Sequence, residues 1–264
     1  MAAASLMTDF QLYYHPYSIC SLMALYTMSF YGQPKNGDSE MNVAMQVIDI
    51  YHEEQLAEHF LCNVNKLGQV PVLLTPAGQE GPITDSLEMT LYMASRYPSL
   101  IPSQYKEEIE NFLTDLHALN YFSLSFPGRP QIAQKLVEAV QRRLDDPSIS
   151  DRHRTAMEFK KTLFENDKVK GLMPSEIAKN ETKVRELLEA LHDRVADPQR
   201  RIFGENPTAL DARLVPFIAR MTEIGREKLI PEKLQQYCKW AMNGDDWMKM
   251  MNGRKGTMIP VSEM

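Results

Sequence analysis

Three short stretches in the first part of the chain carry side chains whose types and spacing could do chemistry. In Tyr14-His15-Pro16-Tyr17-Ser18, a hydroxyl stands at the start of an otherwise apolar helix. Free N–H groups and partial positive charge at such a terminus favour an anion. Gln69-Val70-Pro71-Val72 puts a proline at the head of a strand, where the missing N–H is tolerated only with special geometry. A cis peptide at that proline would turn the N–H and C=O of Val70 outward. Thr84-Asp85-Ser86 precedes another helix and supplies a carboxylate, a hydroxyl and further free N–H groups. Each stretch also has a purely structural use. Ser18 is a good N-cap, Asp85 with Glu88 forms a D-x-x-E capping box, and Pro71 can be a structural proline at a strand head.

The elements that must position these groups follow from local patterning. Phe10–Tyr14 is short, aromatic and followed by a proline, and reads as a strand. Ser18 to Phe30 offers Leu22, Leu25, Tyr26 and Ser29 at helical spacing. Met41 to Ile50 alternates weakly and predicts a second strand, Glu53 to Cys62 a helix, and Val70 to Leu74 a third strand. A turn at Ala77-Gly78 and Gly81-Pro82 precedes a short strand ending at Thr84, and Asp85 to Arg96 closes the unit as a helix. The order is βαβαββα. Beyond it every periodic segment is helical: a long helix from Tyr105 to Leu124, then 132–144, 151–164, 181–195, 210–224 and one or two more between Pro231 and Met251. The fold class is therefore a small α/β unit followed by an all-α helical bundle. Prolines at Pro98 and Pro102 mark the join, giving domains 1–101 and 102–264.

Charge supports the same division. Through Ile101 there are three basic and ten acidic residues, 3 − 10 = −7, and the remainder carries 26 − 25 = +1, summing to the formal −6. An acidic chain of this kind is a poor candidate for non-specific nucleic-acid binding. Cys20, Cys62 and Cys238 form no CxxC pair, so neither a disulfide scaffold nor a structural zinc site is expected. His52 and His59 stand seven apart, without an HExxH pattern, and no metal is expected there. GxSxG, GxxxxGK[ST] and GxGxxG are all absent. Met1 to Ser5 lacks the basic and apolar regions of a secretory signal. Phe10 to Pro34 holds no charged residue, but His15-Pro16 interrupts it, so a buried strand and helix are expected rather than a membrane span. A cytoplasmic protein with reduced thiols follows. Seven of the 17 methionines fall between Met221 and Met264, as core filler or as a flexible lining for an apolar substrate.

With "NKLGQVPVL", "ITDSLEMTLYMASRYP" and "FGENPTALDARLVPFIARM" in this order, nearly the whole chain resembles a cytosolic glutathione S-transferase. Thr208-Ala209-Leu210-Asp211 resembles that family's capping box in the core helix of the second domain, whereas Asn65-Lys66 stands where the family commonly has Asn-Pro. The resemblance implies a thioredoxin-like N-terminal domain followed by a helical-bundle C-terminal domain, with glutathione as the bound thiol substrate. It makes Pro71 the cis-proline and gives Val70 a backbone pairing with the cysteinyl part. Asp85 and Ser86 would hold the γ-glutamyl end, and Gln69 would add a side-chain contact. Lys66, the only basic residue between Lys35 and Arg96, is the candidate for the glycyl carboxylate, with Gln55 as a neutral substitute and a solvated surface lysine as the plainer reading.

Ser18 matches the serine of the serine-type classes, whose hydroxyl donates to the glutathione sulfur and favours thiolate over thiol. "LYYHPYSICSL" also resembles the cysteine-type classes, and Cys20 aligns there with a one-residue gap, pointing to thiol transfer. The functions implied are a transferase acting on a hydrophobic electrophile, a glutathione-dependent isomerase or lyase, and a non-catalytic binding module. Tyr121, Phe122 and Phe126 are candidates for an apolar pocket, the charged stretch 127–170 could reshape it, and a homodimer is what the family implies.

Overall fold

The computed structural model describes residues 10–76 and 81–259; Met1 to Ser5 and the Ala77-Gly78 turn lie outside them. Strand β1 (Phe10–Tyr14) is the centre of a three-stranded sheet in the order β2-β1-β3. It pairs in parallel with β2 (Val43–Val47), Phe10 facing Val43 and Tyr14 facing Val47. It pairs antiparallel with β3 (Val72–Leu74), Tyr13 facing Val72. The parallel crossover is made by helix α1 (Ile19–Phe30), so the uncharged stretch is a buried strand and helix. Among the described residues no helix is long and apolar enough to cross a membrane. The expected fourth strand is reduced to one antiparallel bridge, Leu73 with Ile83, after which α2 (Ser86–Arg96) begins.

The predicted helix at Glu53–Cys62 is not continuous. Glu53 takes a left-handed backbone (φ 65°), Glu54–Leu56 is a single 3-10 turn, Ala57 is extended, and Phe60–Val64 is one wide π-type turn. Tertiary contacts described below override the helical pattern.

Helices α3 (Lys106–His117) and α4 (Tyr121–Ser125) replace the single predicted long helix. The break is made by Asn120, whose side-chain oxygen caps α4 by accepting from Ser123 N–H at 3.0 Å. Then come α5 (Pro130–Leu144), α6 (Asp151–Phe164), α7 (Pro174–His192), α8 (Ala209–Glu223), α9 (Glu232–Met242) and α10 (Asp245–Met251). Helix α8 is buried from Ala209 to Met221 and packs against α1 and α3, making it the axis of the molecule. Its first turn is fixed by Asp211, which accepts from Thr208 N–H at 2.7 Å and from the Thr208 hydroxyl at 3.0 Å. The main apolar core runs from Phe10 in β1 to Met251 in α10, through both halves of the chain.

The stretch 127–170 forms an antiparallel α5–α6 pair with its own small core of Ala139, Val140, Met157 and Phe164. Leu56 and Leu61 of the irregular 53–68 segment complete that core. Polar contacts seal the seam. Arg142 and Arg143 each reach a different oxygen of Glu53 at 2.7 Å, Ser150 donates to Glu58 at 2.6 Å, and Arg152 donates to the Cys62 carbonyl at 2.6 Å.

Candidate functional site

Ser18 caps α1 from an extended backbone, its Oγ accepting from Ser21 N–H at 3.4 Å and lying 3.5 Å from the Val70 carbonyl oxygen. The contact to Val70, the one in which Ser18 donates, is long for a hydroxyl, so the proton of Ser18 is lightly engaged. The approach to the helix is held from behind. Arg254 donates to the Pro16 carbonyl at 2.7 Å, and Arg220 donates to the Tyr17 carbonyl at 2.9 Å. His15 is buried, and its Nδ1 accepts from Tyr17 N–H at 3.2 Å. Burial drives its pKa down to about 4, with Arg254 adding to the fall and Asp49 opposing it, so the ring is a neutral packing element. Cys20 is half-buried on the second residue of α1, within electrostatic reach of Tyr121 and Arg220.

The Val70–Pro71 peptide is cis. The sheet ladder begins only at Val72, so Val70 stands before its first rung. The preceding turn is held by buried Asn65, whose Oδ1 accepts from Leu67 N–H at 2.9 Å and whose amide donates to the Gln69 carbonyl at 2.9 Å. Gln69 is half-buried and Lys66 is exposed on this turn. Gln55 is buried and donates to the Ile50 carbonyl at 3.2 Å.

The turn is gripped from the other side by Lys160 of α6, which is fully buried. Its ammonium donates to the Leu67 carbonyl and, at 3.1 Å, to the Gly68 carbonyl, and stands 4.2 Å from the centre of the Phe164 ring. No carboxylate pairs with Lys160 among the described ion pairs. Burial lowers its pKa to about 7; Lys168 adds to the fall and Asp167 opposes it.

Asp85 caps α2, its Oδ1 accepting from Leu87 N–H at 2.8 Å and Glu88 N–H at 2.9 Å. Its other oxygen faces His117 Nε2 at 3.1 Å. Ser86 is buried, and its hydroxyl oxygen accepts from Arg213 at 3.4–3.5 Å while its carbonyl accepts from the same guanidinium at 3.1 Å. The Ser86 hydroxyl therefore keeps its own proton for a further acceptor. A single antiparallel bridge joins Leu73 to Ile83, and α2 starts three residues after that bridge, at Ser86. The Val70 edge and the Ser18 hydroxyl thus meet beside the cis-proline, and α2 follows the strand segment that bridges to β3.

Sequence reasoning missed three residues here. Arg213 and His117 come from the helical half, and the visible signal for Arg213 was an arginine at the head of the apolar run Leu214 to Ile218. Lys160 carried no such signal. Of the expected apolar lining, Tyr121 is buried core, donating to the Leu116 carbonyl at 2.7 Å, and Phe122 packs on Phe126 with ring centres 5.0 Å apart. The methionine-rich end borders a half-open cleft of about 930 Å³, whose lining includes Met242, Trp247, Met248 and Met251 beside charged residues such as Glu232 and Lys239. The segment 253–257 forms one wall of it, and Arg254 in that segment reaches the Pro16 carbonyl.

No protein-family model matches the sequence, and no curated protein matches it either. Solved structures do match over nearly the whole chain. The yeast prion protein Ure2p in complex with glutathione superposes with a TM-score of 0.59 at 15% identity, covering 95% of this chain and 97% of that one. A glutathione transferase from Pseudomonas putida with glutathione disulfide bound gives 0.61 at 12% identity, covering 96% and 94%. A serine-to-cysteine mutant of a poplar glutathione transferase gives 0.57 at 16%, covering 94% and 99%. With its small sheet, its cis-proline turn and its helical second half, this chain has the fold of the glutathione transferases.

Proposed function

We propose that the protein binds glutathione at the end of the sheet formed by Ser18, Val70 and the start of α2, and activates its thiol for attack on a hydrophobic electrophile. The observation that carries this reading is the Ser18 hydroxyl lying 3.5 Å from the Val70 carbonyl, beside a cis-proline. A peptide lying along Val70 sets its thiol beside that hydroxyl. The hydroxyl then exchanges its long contact to Val70 for a hydrogen bond to sulfur and stabilises the thiolate. The γ-glutamyl ammonium suits the Asp85 carboxylate. The α-carboxylate suits the Ser86 hydroxyl and the N-terminus of α2. Gln69 and Lys66 border the glycyl end, and Cys20 is the alternative sulfur-directed group, suited to thiol transfer.

We assign the two sides of the site to domains 1–101 and 102–264, joined at Pro98–Pro102, and the whole to a cytoplasmic homodimer acting without metal or nucleic acid. The likeness to Ure2p, described as a nitrogen-regulation protein, favours a second reading in which the same site binds glutathione without turning it over.

The test is the ultraviolet thiolate absorbance of bound glutathione against pH in wild type, Ser18→Ala and Cys20→Ala. Ser18→Ala is expected to raise the apparent thiol pKa by about one unit or more, with Cys20→Ala unchanged. No glutathione binding overturns the reading. Binding without a lowered thiol pKa favours the non-catalytic module, and an effect confined to Cys20→Ala transfers the role to that thiol.

A further inference from the structure

The carboxylate assigned to the γ-glutamyl ammonium is the end of a chain of three side chains. Asp85 Oδ2 lies 3.1 Å from His117 Nε2 at the end of α3, and His117 Nδ1 lies 3.3 Å from the Arg213 guanidinium of α8. Arg213 is fully buried and also grips Ser86 through its carbonyl and hydroxyl. A guanidinium can only donate, so His117 Nδ1 must accept, and the ring proton sits on Nε2, directed at Asp85. The chain has one polarity, from arginine to imidazole to carboxylate.

We propose that Arg213 and His117 are positioning residues that aim the ionised Asp85 carboxylate at an ammonium ligand, and that protonation of His117 shuts the site. This rests on the glutathione reading above. The relay works only with a neutral imidazole. A second ring proton, on Nδ1, faces the Arg213 donors, and the bond between them is lost. The resulting imidazolium pairs with Asp85 and competes with the ligand ammonium for it.

The surroundings set the direction of the response. Burial and the Arg213 charge hold His117 below its ordinary value of 6.5, against the pull of Asp85 and Glu88 at the start of α2. The ring is therefore neutral at neutral pH, and ligand affinity falls on the acid side. Asp85 and Glu88 from α2 and Arg213 from α8 are the charged groups facing the ring.

S-methylglutathione isolates this effect because its sulfur does not titrate. Its binding is measured by titration calorimetry from about pH 8 to about pH 4, a range that extends well below the ordinary imidazole value, in wild type, His117→Gln and His117→Leu. Glutamine can accept from Arg213 and donate to Asp85 but takes up no proton. His117→Gln is expected to bind within about threefold of wild type at neutral pH and to lose the acid-side weakening. Wild type is expected to weaken about tenfold per pH unit once below the imidazole pKa. His117→Leu breaks the relay and is expected to weaken binding about tenfold at neutral pH, the loss typical of a charge-assisted hydrogen bond. A wild-type acid slope that persists in His117→Gln, or unimpaired binding by His117→Leu, overturns the proposal. Failure of wild type to bind S-methylglutathione at any pH overturns the glutathione reading itself, so the two failures are distinct.

Discussion

Lys160 offers a sharp test of how the helical half supports the cis-proline turn. Replacing it with methionine keeps the length and apolar stem of the side chain and removes the ammonium. Two effects oppose each other. The Leu67 and Gly68 carbonyls lose their donor, at about 1–3 kcal/mol for each one left buried and unpaired. Against that, the desolvation of a cation in a small apolar core is relieved.

The pH dependence separates the two. The lysine is held at about 7 in the fold, against an ordinary 10.5. Between those values the unfolded chain binds a proton that the folded chain does not, so stability rises with pH. The contribution is complete above the ordinary lysine value and is lost as pH falls through about 7. At about 1.4 kcal/mol per pH unit, and with the site half-titrated at the lower limit, wild type gains about 2 kcal/mol between about pH 7 and pH 9. Lys160→Met gains none of this. Cys238 and Tyr121, both pushed up to about 12 by burial, destabilise the fold at high pH through ionisation in the unfolded chain. They do so in both proteins, and the comparison cancels them. Urea unfolding followed by circular dichroism across that range is the assay. The stability difference is expected to widen by about 2 kcal/mol in favour of wild type toward alkaline pH. Parallel curves would show that Lys160 titrates normally and refute the reasoning.

Two further outcomes follow from the same seam. Gly68 has φ +54°, and a Cβ there would stand 2.8 Å from Leu61 Cδ2 and 3.1 Å from the Gln55 carbonyl oxygen; Gly68→Ala is expected to lose about 2–4 kcal/mol from backbone strain and overpacking combined, read as a fall in thermal midpoint. Glu53 receives Arg142 and Arg143 on separate oxygens and is 24% exposed; Glu53→Ala is expected to lower stability by about 1–2 kcal/mol and to speed amide hydrogen exchange across 53–68, with unchanged exchange there counting against the seam.

The parts of the site legible in the sequence are those built by local rules. Ser18 and Asp85 cap helices that their own neighbours specify, and both caps form. The proline of Gln69-Val70-Pro71 is cis, which its place at the head of a strand foreshadowed. What could not be read depends on distant partners. Helix α6 carries Lys160 and Lys161 side by side; one is fully buried against a backbone turn and the other reaches Gln141 at 2.8 Å. Nothing local distinguishes them, because the difference is made by residues more than ninety positions away. The broken helix at 53–64 has the same origin. On a single helix, Leu56, Phe60 and Leu61 would share one side. Leu56 and Leu61 are claimed by the α5–α6 core, whereas Phe60 packs with Tyr13 and Val72 of the sheet. One straight helix could not serve both.

The uneven charge of the two halves acquires a physical meaning at that seam. The first half holds seven more acidic than basic residues, and an acidic unit is an unpromising receptor for an anionic ligand. The fold meets this locally. Glu53 is taken up by Arg142 and Arg143, Glu58 accepts from Ser150, and Asp85 is engaged by His117 with Arg213 behind it. Basic residues of the helical half thus supply both sides of the proposed site. One set, on α5 and α6, seals the segment leading to Val70; the other, Arg213 and Arg220 on α8 with Arg254, braces Ser86 and the approach to Ser18. Severing the halves near residue 101 would therefore do more than expose apolar surface. It would strip the first half of the cations that hold its binding turn and its α2 terminus in place, so the geometry proposed to bind glutathione belongs to the two halves together.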